Sequence, residues 1–183
     1  MTEKSRNMQE HLRSILLELG LDIASEGLKR TPLRIATVWQ EWMKGNDMEV
    51  KLERTYTEKS EMVCARDIPF MSMCEHHFLP FYGKCHIAYI PNGFVTGLSK
   101  LDGLVTKHAK RFTIQERMTE NIASELQKTL RPYGTMVVTE AVHTCKIAEG
   151  YHGGSYLCSV LKGVFLVNEG PREEARDLMG LRR

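Results

Sequence analysis

A thiol and two imidazoles fall within four positions in Cys74-Glu75-His76-His77, and Val142-His143-Thr144-Cys145 pairs an imidazole with a thiol again further along. Cys74 and His77 stand in a C-x-x-H spacing that one turn can close. Sulfur and nitrogen then lie on one side, each within the roughly 2.0–2.3 Å that zinc requires. Alternate side chains of an extended strand share a face, so the spacing predicts that His143 and Cys145 project together. The chain thus offers Cys74, His77 and Cys145 as a Cys2His set, with His76 and His143 beside it. Three protein ligands and an open fourth position describe a catalytic zinc rather than a structural one. A single intracellular cysteine is most often a small buried hydrophobe; two separate segments, each with Cys and His at usable spacing, point to a metal. Cys64, Cys85 and Cys158 have no partner pattern and read as buried thiols.

The elements that must position these groups are written in the hydrophobic periodicity. Met8, Leu12, Ile15, Leu16 and Leu19 recur at helical spacing before Gly20, a C-terminal stop. A second helix opens at Thr31-Pro32, read as cap and first helical residue. It carries Ile35, Val38, Trp39 and Trp42, with the tryptophans as core residues. This helical start can pack on its own domain or on a neighbouring subunit. Residues 46–60 are polar and aperiodic and read as a connector, so the chain divides into an N-terminal helical region, 1–60, and a main domain, 61–183. In the main domain strands are expected at Met62–Arg66 and Lys84–Ile90, the second bounded by Pro91-Asn92-Gly93. A helix capped by Ser99 runs to about Lys110. Another begins at Thr113, with Glu116 completing a capping box, and puts Ile114, Met118, Ile122 and Leu126 on one face. Strands over Thr135–Cys145 and Leu157–Val167 and a short helix over Arg172–Met179 complete an α+β domain with an antiparallel sheet.

Composition excludes several classes of function. The 183 residues, 42% hydrophobic, suffice for one sizeable core. With 25 basic and 23 acidic residues the net charge is +2, and no strong field points to nucleic acid or an anionic membrane. Five scattered cysteines and no apolar N-terminal run argue against a secreted disulfide framework, so the expected location is the cytoplasm. No apolar stretch approaches the roughly 20 residues of a spanning helix.

Several blocks in order carry a family likeness: Asp67-Ile68-Pro69-Phe70, Ser72-Met73-Cys74-Glu75-His76-His77, Gly97-Leu98-Ser99-Lys100, Gln115-Glu116-Arg117 and Glu140-Ala141-Val142-His143. In these the chain resembles GTP cyclohydrolase I from its first helix to Phe165. The resemblance implies the tunnelling fold, in which ββααββ subunits close side by side into a barrel. It also implies a homo-oligomer, for bacterial members a decamer of two face-to-face pentamers, with sites shared between subunits. The family's zinc ligands fall on Cys74, His77 and Cys145. Its chemistry opens the guanine imidazole ring at C8, releases formate and recloses a pterin ring. In that scheme His143 protonates the imidazole nitrogen, His76 assists proton transfer, and Gln115 and Glu116 hold the guanine edge. Ser99 and Lys100 fall at substrate-binding positions.

The triphosphate-gripping cations depart from that pattern. Arg34 and Lys100 match, but Thr37 and Gly103 stand where cations are expected, and the family's Cys-x-x-x-Arg-Gly reads Cys145-Lys146-Ile147-Ala148-Glu149-Gly150. Each charge-assisted hydrogen bond contributes about 1.5–3 kcal/mol, so three losses would weaken triphosphate binding by about 10³-fold or more. A carboxylate at 149 adds repulsion, with Lys146 or His152 as partial compensation. On this basis the expected activity is zinc-dependent opening of a guanine-type purine with few or no phosphates, Glu149 accepting hydrogen bonds from sugar hydroxyls. Two alternatives stand beside it: a true GTP cyclohydrolase I that makes 7,8-dihydroneopterin triphosphate and formate, and a non-catalytic, zinc-stabilised purine-binding or regulatory partner.

Overall fold

The computed structural model describes residues 3–57 and 61–181. The chain packs as two compact units, Met1–Lys44 and Gly45–Arg183. The first holds α1 (Glu3–Glu18) and α2 (Thr31–Met43). Leu12 and Leu16 of α1 and Pro32 and Ala36 of α2 are buried, while Ile15 and Leu19, also on the predicted apolar stripe, are exposed. Thr31 is not the cap: Arg30 holds that position with no side-chain bond, and Thr31 and Pro32 lie inside the first turn. Trp39 and Trp42 are half-buried.

In the second unit, residues 46–57 of the expected connector include the buried Leu52, with Val50 packed against the same core; residues 58–60 lie outside the described residues. The elements that follow are β1 (Val63–Cys74), β2 (Pro80–Ile90), α3 (Leu98–Ala109), the two-residue β3 (Phe112–Thr113) and α4 (Gln115–Leu130). After these come β4 (Gly134–His143), α5 (Thr144–Ala148), β5 (Tyr156–Gly163), α6 (Val164–Val167) and α7 (Glu169–Leu178). One sheet has the order β3-β1-β2-β4-β5, antiparallel except where β3 runs parallel to the end of β1. Apart from β3 and the short helices, this is the expected ββααββ order.

Alternation along β2 explains the two cores. Cys85, Ile87 and Tyr89 face α3 and α4, meeting Leu101, Leu104, Met118, Ile122 and Leu126. Ala88 faces the other way with Met136 and Val138, where Phe165, Ala175 and Met179 cover them. A Cβ at Gly83 would meet the Glu140 carbonyl oxygen at 1.8 Å, so only glycine lets β2 and β4 approach there.

Several boundaries differ from expectation, and β2 begins at Pro80 rather than Lys84. β1 runs on to Cys74 because a bulge near Asp67, at φ 58°, restores its register. There the Asp67 N–H donates to His86 Nδ1 at 3.2 Å. α3 has Gly97 as N-cap, so Ser99 does not cap it. Thr113 belongs to β3, α4 begins at Gln115 behind Ile114, and the capping box with Glu116 is not made. The last strand stops at Gly163 and α7 starts at Glu169, capped by the Asn168 side chain.

Candidate functional site

Cys74 is the last residue of β1, and the chain reverses directly after it. Phe78 N–H donates to the Cys74 carbonyl at 2.9 Å, Cys74 N–H to the Leu79 carbonyl at 2.9 Å, and Phe78 takes φ 55° to close the turn. This brings His77 back over Cys74, with Nδ1 3.9 Å from Sγ. Arg117 of α4 holds the turn through Glu75 at 2.5 Å. The second segment arrives differently from the strand expected: β4 ends at His143, and Cys145 lies in the first turn of α5. The Thr144 hydroxyl donates to the Pro80 carbonyl and ties that turn to the start of β2. Cys145 is therefore presented by a helix turn, not by strand alternation with His143.

The ligand atoms of Cys74, His77 and Cys145 all lie within 4.8 Å of one another. Tetrahedral zinc with bonds of about 2.0–2.3 Å needs its ligands about 3.3–3.8 Å apart, so small side-chain movements complete the set. Two soft sulfurs and one imidazole suit zinc. The electrostatics also favour a cation. Burial works to raise the Cys74 thiol, but hydrogen bonds from His77 and the backbone outweigh it and hold the thiol below its ordinary value. Burial, then the neighbouring Cys74 sulfur, pushes Cys145 up. Two adjacent thiolates repel unless a positive ion sits between them.

His143 is fixed beside this group. Its ring stacks on Phe81 at 5.0 Å and 5°, and meets Tyr156 edge-on at 5.6 Å. Its Nε2 lies 2.8 Å from Gln115 Oε1. The buried Gln115 turns its Nε2 to the carbonyls of Thr139 and Tyr156 and to the Thr139 hydroxyl, at 2.9–3.1 Å. Carbonyls only accept, so Oε1 must face His143, and His143 Nε2 carries the hydrogen. Nδ1 is left without a hydrogen-bond partner among the described residues. Burial lowers the His143 pKa, and the Glu116 carboxylate opposes the shift.

A cavity of about 420 Å³ is lined by Gln115, Glu116, His143, Cys145, Lys146 and Tyr156, with Leu157 and Cys158 completing the wall. Lys146 approaches the Tyr156 hydroxyl and lies over its ring. Tyr156 was not singled out by sequence reasoning. Its signal is the alternation of β5, where Tyr156 pairs with Ala141 and Cys158 with Thr139. His76 is exposed beside His77, ring centroids 6.3 Å apart, and does not line the cavity.

Two groups of expected site residues lie elsewhere. Ser99 and Lys100 sit in the first turn of α3, near the Tyr89 end of β2, where Thr96 N–H meets the Tyr89 hydroxyl at 3.3 Å. Cys74, His77 and Cys145 are at the Pro80 end of that 11-residue strand, roughly 30 Å away along it. Glu149 is the second. Its carboxylate does not line the cavity as a substrate contact; Oε1 lies 3.0 Å from His77 Nε2. Lys146 places a cation on the wall.

Comparison with known proteins gives the same direction. The sequence profile of the family described as GTP cyclohydrolase I matches residues 8–180. A GTP cyclohydrolase 1 of Hydrogenobaculum sp. is 46% identical over 167 residues, 90% of this chain and 92% of that one. Those of Desulforamulus reducens and Aquifex aeolicus are 44% and 43% identical, each covering 94–95% of this chain and 95–96% of their own. An apo archaeosine synthase QueF-Like structure superposes with a TM-score of 0.50 at 15% identity, covering 58% of this chain and 97% of its own. That likeness speaks to the fold alone, which is the tunnelling fold. The relatives overturn the expectation of a substrate with few or no phosphates: proteins this similar over nearly their whole length carry the GTP cyclohydrolase name. With the profile spanning all but the chain ends, this protein belongs to the GTP cyclohydrolase I family.

Proposed function

We propose that this chain is a zinc-dependent GTP cyclohydrolase I that converts GTP to 7,8-dihydroneopterin triphosphate and formate. The observation that carries the reading is the convergence of Cys74, His77 and Cys145 beside a braced His143. Zinc held by that set supplies Lewis-acid activation of water near neutral pH for hydrolysis at purine C8. His143, its Nε2–H held by Gln115, exchanges protons with the opening imidazole ring through Nδ1. Glu116 on the cavity wall takes the guanine edge, while the Gln115 side chain, already engaged, serves by bracing His143. His76, exposed beside His77, assists proton transfer from outside the wall.

Ser99 and Lys100 can join such a site only from another copy. Two open edges support assembly: among the described residues β5 has no partner on its outer side, and β1 is covered only at Met73 and Cys74. Pairing such edges between copies closes a barrel, and the reading includes a homo-oligomer, a decamer of two pentamers. Lys100 and Lys146 then provide cations for the triphosphate. Among the described residues no helix is long and apolar enough to cross a membrane, and a site built on two thiols suits the reducing cytoplasm.

The test is to incubate zinc-loaded protein with GTP, guanosine and guanine, and to follow formate and pterin fluorescence. The expected result is formate and a fluorescent pterin from GTP, with far less from the others. Turnover of guanosine with none of GTP would defeat the reading.

A further inference from the structure

Glu149 stands where the family pattern has an arginine, and the structure gives it a different partner. It follows α5 immediately, its N–H donating to the Cys145 carbonyl at 3.1 Å. Residues i and i+4 of a helical turn lie over one another, so this single turn carries Cys145 and, above it, the Glu149 carboxylate. The carboxylate lies 3.0 Å from His77 Nε2. The other ring nitrogen, Nδ1, lies 3.9 Å from Cys74 Sγ, within the group of Cys74, His77 and Cys145. The imidazole is therefore held at both ends: one nitrogen toward the thiols, the other toward a carboxylate.

From this geometry we infer that Glu149 is a positioning residue for the metal centre, fixing His77 through its Nε2–H so that Nδ1 is presented to the ion. The inference rests on the zinc reading above and adds to it a residue that the cavity does not use. A ligating histidine needs its second nitrogen protonated and held, and a carboxylate there sets ring orientation and raises ligand basicity. The Cys145-x-x-x-Glu149 turn thus supplies one ligand directly and orients a second. The two side chains are 42% and 50% exposed, so solvent screens the charge between them. Orientation is the main effect, and the expected change lies toward the low end of the 10–100-fold range usual for such partners.

The experiment measures zinc affinity of the full chain by competition with a chromophoric chelator, for the parent and for Glu149→Ala and Glu149→Gln. The glutamine variant is isosteric and guards against loss of folding. The expected result is zinc binding weaker by about 10-fold in Glu149→Ala and by less in Glu149→Gln, which keeps an acceptor oxygen. The cobalt-substituted Glu149→Ala protein should also show shifted d–d bands. Parental zinc binding with undiminished affinity in both variants overturns this inference alone; a parent that binds no zinc overturns the zinc reading and this inference together. Glu149→Arg gives a further check: a lower KM for GTP with unchanged zinc affinity would assign position 149 to the substrate and overturn the inference.

Discussion

Among the described residues two histidine–glutamate pairs have nearly equal length and different surroundings. His77 Nε2 and Glu149 are 3.0 Å apart on the surface, and His108 Nε2 and Glu125 are 2.9 Å apart between α3 and α4. The difference lies at the other ring nitrogen. His77 Nδ1 looks toward two thiols, and His108 Nδ1 is buried with no hydrogen-bond partner among the described residues. Glu125 is further engaged by Lys107 at 2.7 and 2.9 Å, which makes the second pair a polar knot joining two helices. The same two side chains thus stand beside two thiols in one place and join helices in the other. What the free nitrogen faces decides which.

Substitutions should separate the two regions. The largest effect is expected at the ligands: Cys145→Ala should lose bound zinc and cut formate release from GTP by at least about 10³-fold. Metal analysis and a formate assay measure this, and Glu125→Ala should leave zinc stoichiometry at the parental value. Next, His143→Ala should lower kcat by about 10²–10³-fold while retaining zinc, since it removes a proton-transfer group and no ligand.

Smaller effects belong to the buried knot. Glu125→Ala leaves Lys107 and His108 without their acceptor, and denaturant unfolding should show a loss of about 2 kcal/mol with zinc affinity unchanged. The smallest is a pH effect. Burial pushes the His108 pKa below its ordinary 6.5, with Glu125 opposing the shift. The unfolded chain therefore binds more protons than the folded one as pH falls through 6.5, and stability declines there by at most about 1.4 kcal/mol per pH unit. Glu125 acts in a separate, more acidic window. Burial works to raise its carboxyl, but Lys107 and His108 hold it below its ordinary 4.5, and that stability is lost only as pH falls through the lowered value. His108→Gln should flatten the slope near pH 6; an unchanged slope would show that another group carries it.

The order of elements was legible because β2 is a largely apolar run closed by Pro91-Asn92-Gly93, and Met118, Ile122 and Leu126 mark one face of α4. Boundaries were not, wherever tertiary contacts decide them. The bulge at Asp67 breaks the alternation that would have shown β1 reaching Cys74, and pairing with Cys74 draws Thr113 into β3 and out of a cap. The grouping of Cys74, His77 and Cys145 was legible from residue type and spacing, although Cys145 reaches it by a helix turn. The contact of Glu149 with His77 was not legible, because sequence gives the position of a carboxylate and not its direction. The engagement of Gln115 with Thr139, Tyr156 and His143 was not legible, since it depends on a strand register that pairs Thr139 with Cys158.

The most direct measurement is X-ray absorption at the zinc edge of the metal-replete protein. Cys74, His77 and Cys145 require two sulfurs at about 2.3 Å, one imidazole nitrogen at about 2.0 Å and one light exchangeable ligand. A shell with no sulfur, or one closed by four protein side chains, would contradict the central claim that these three residues hold an open catalytic zinc.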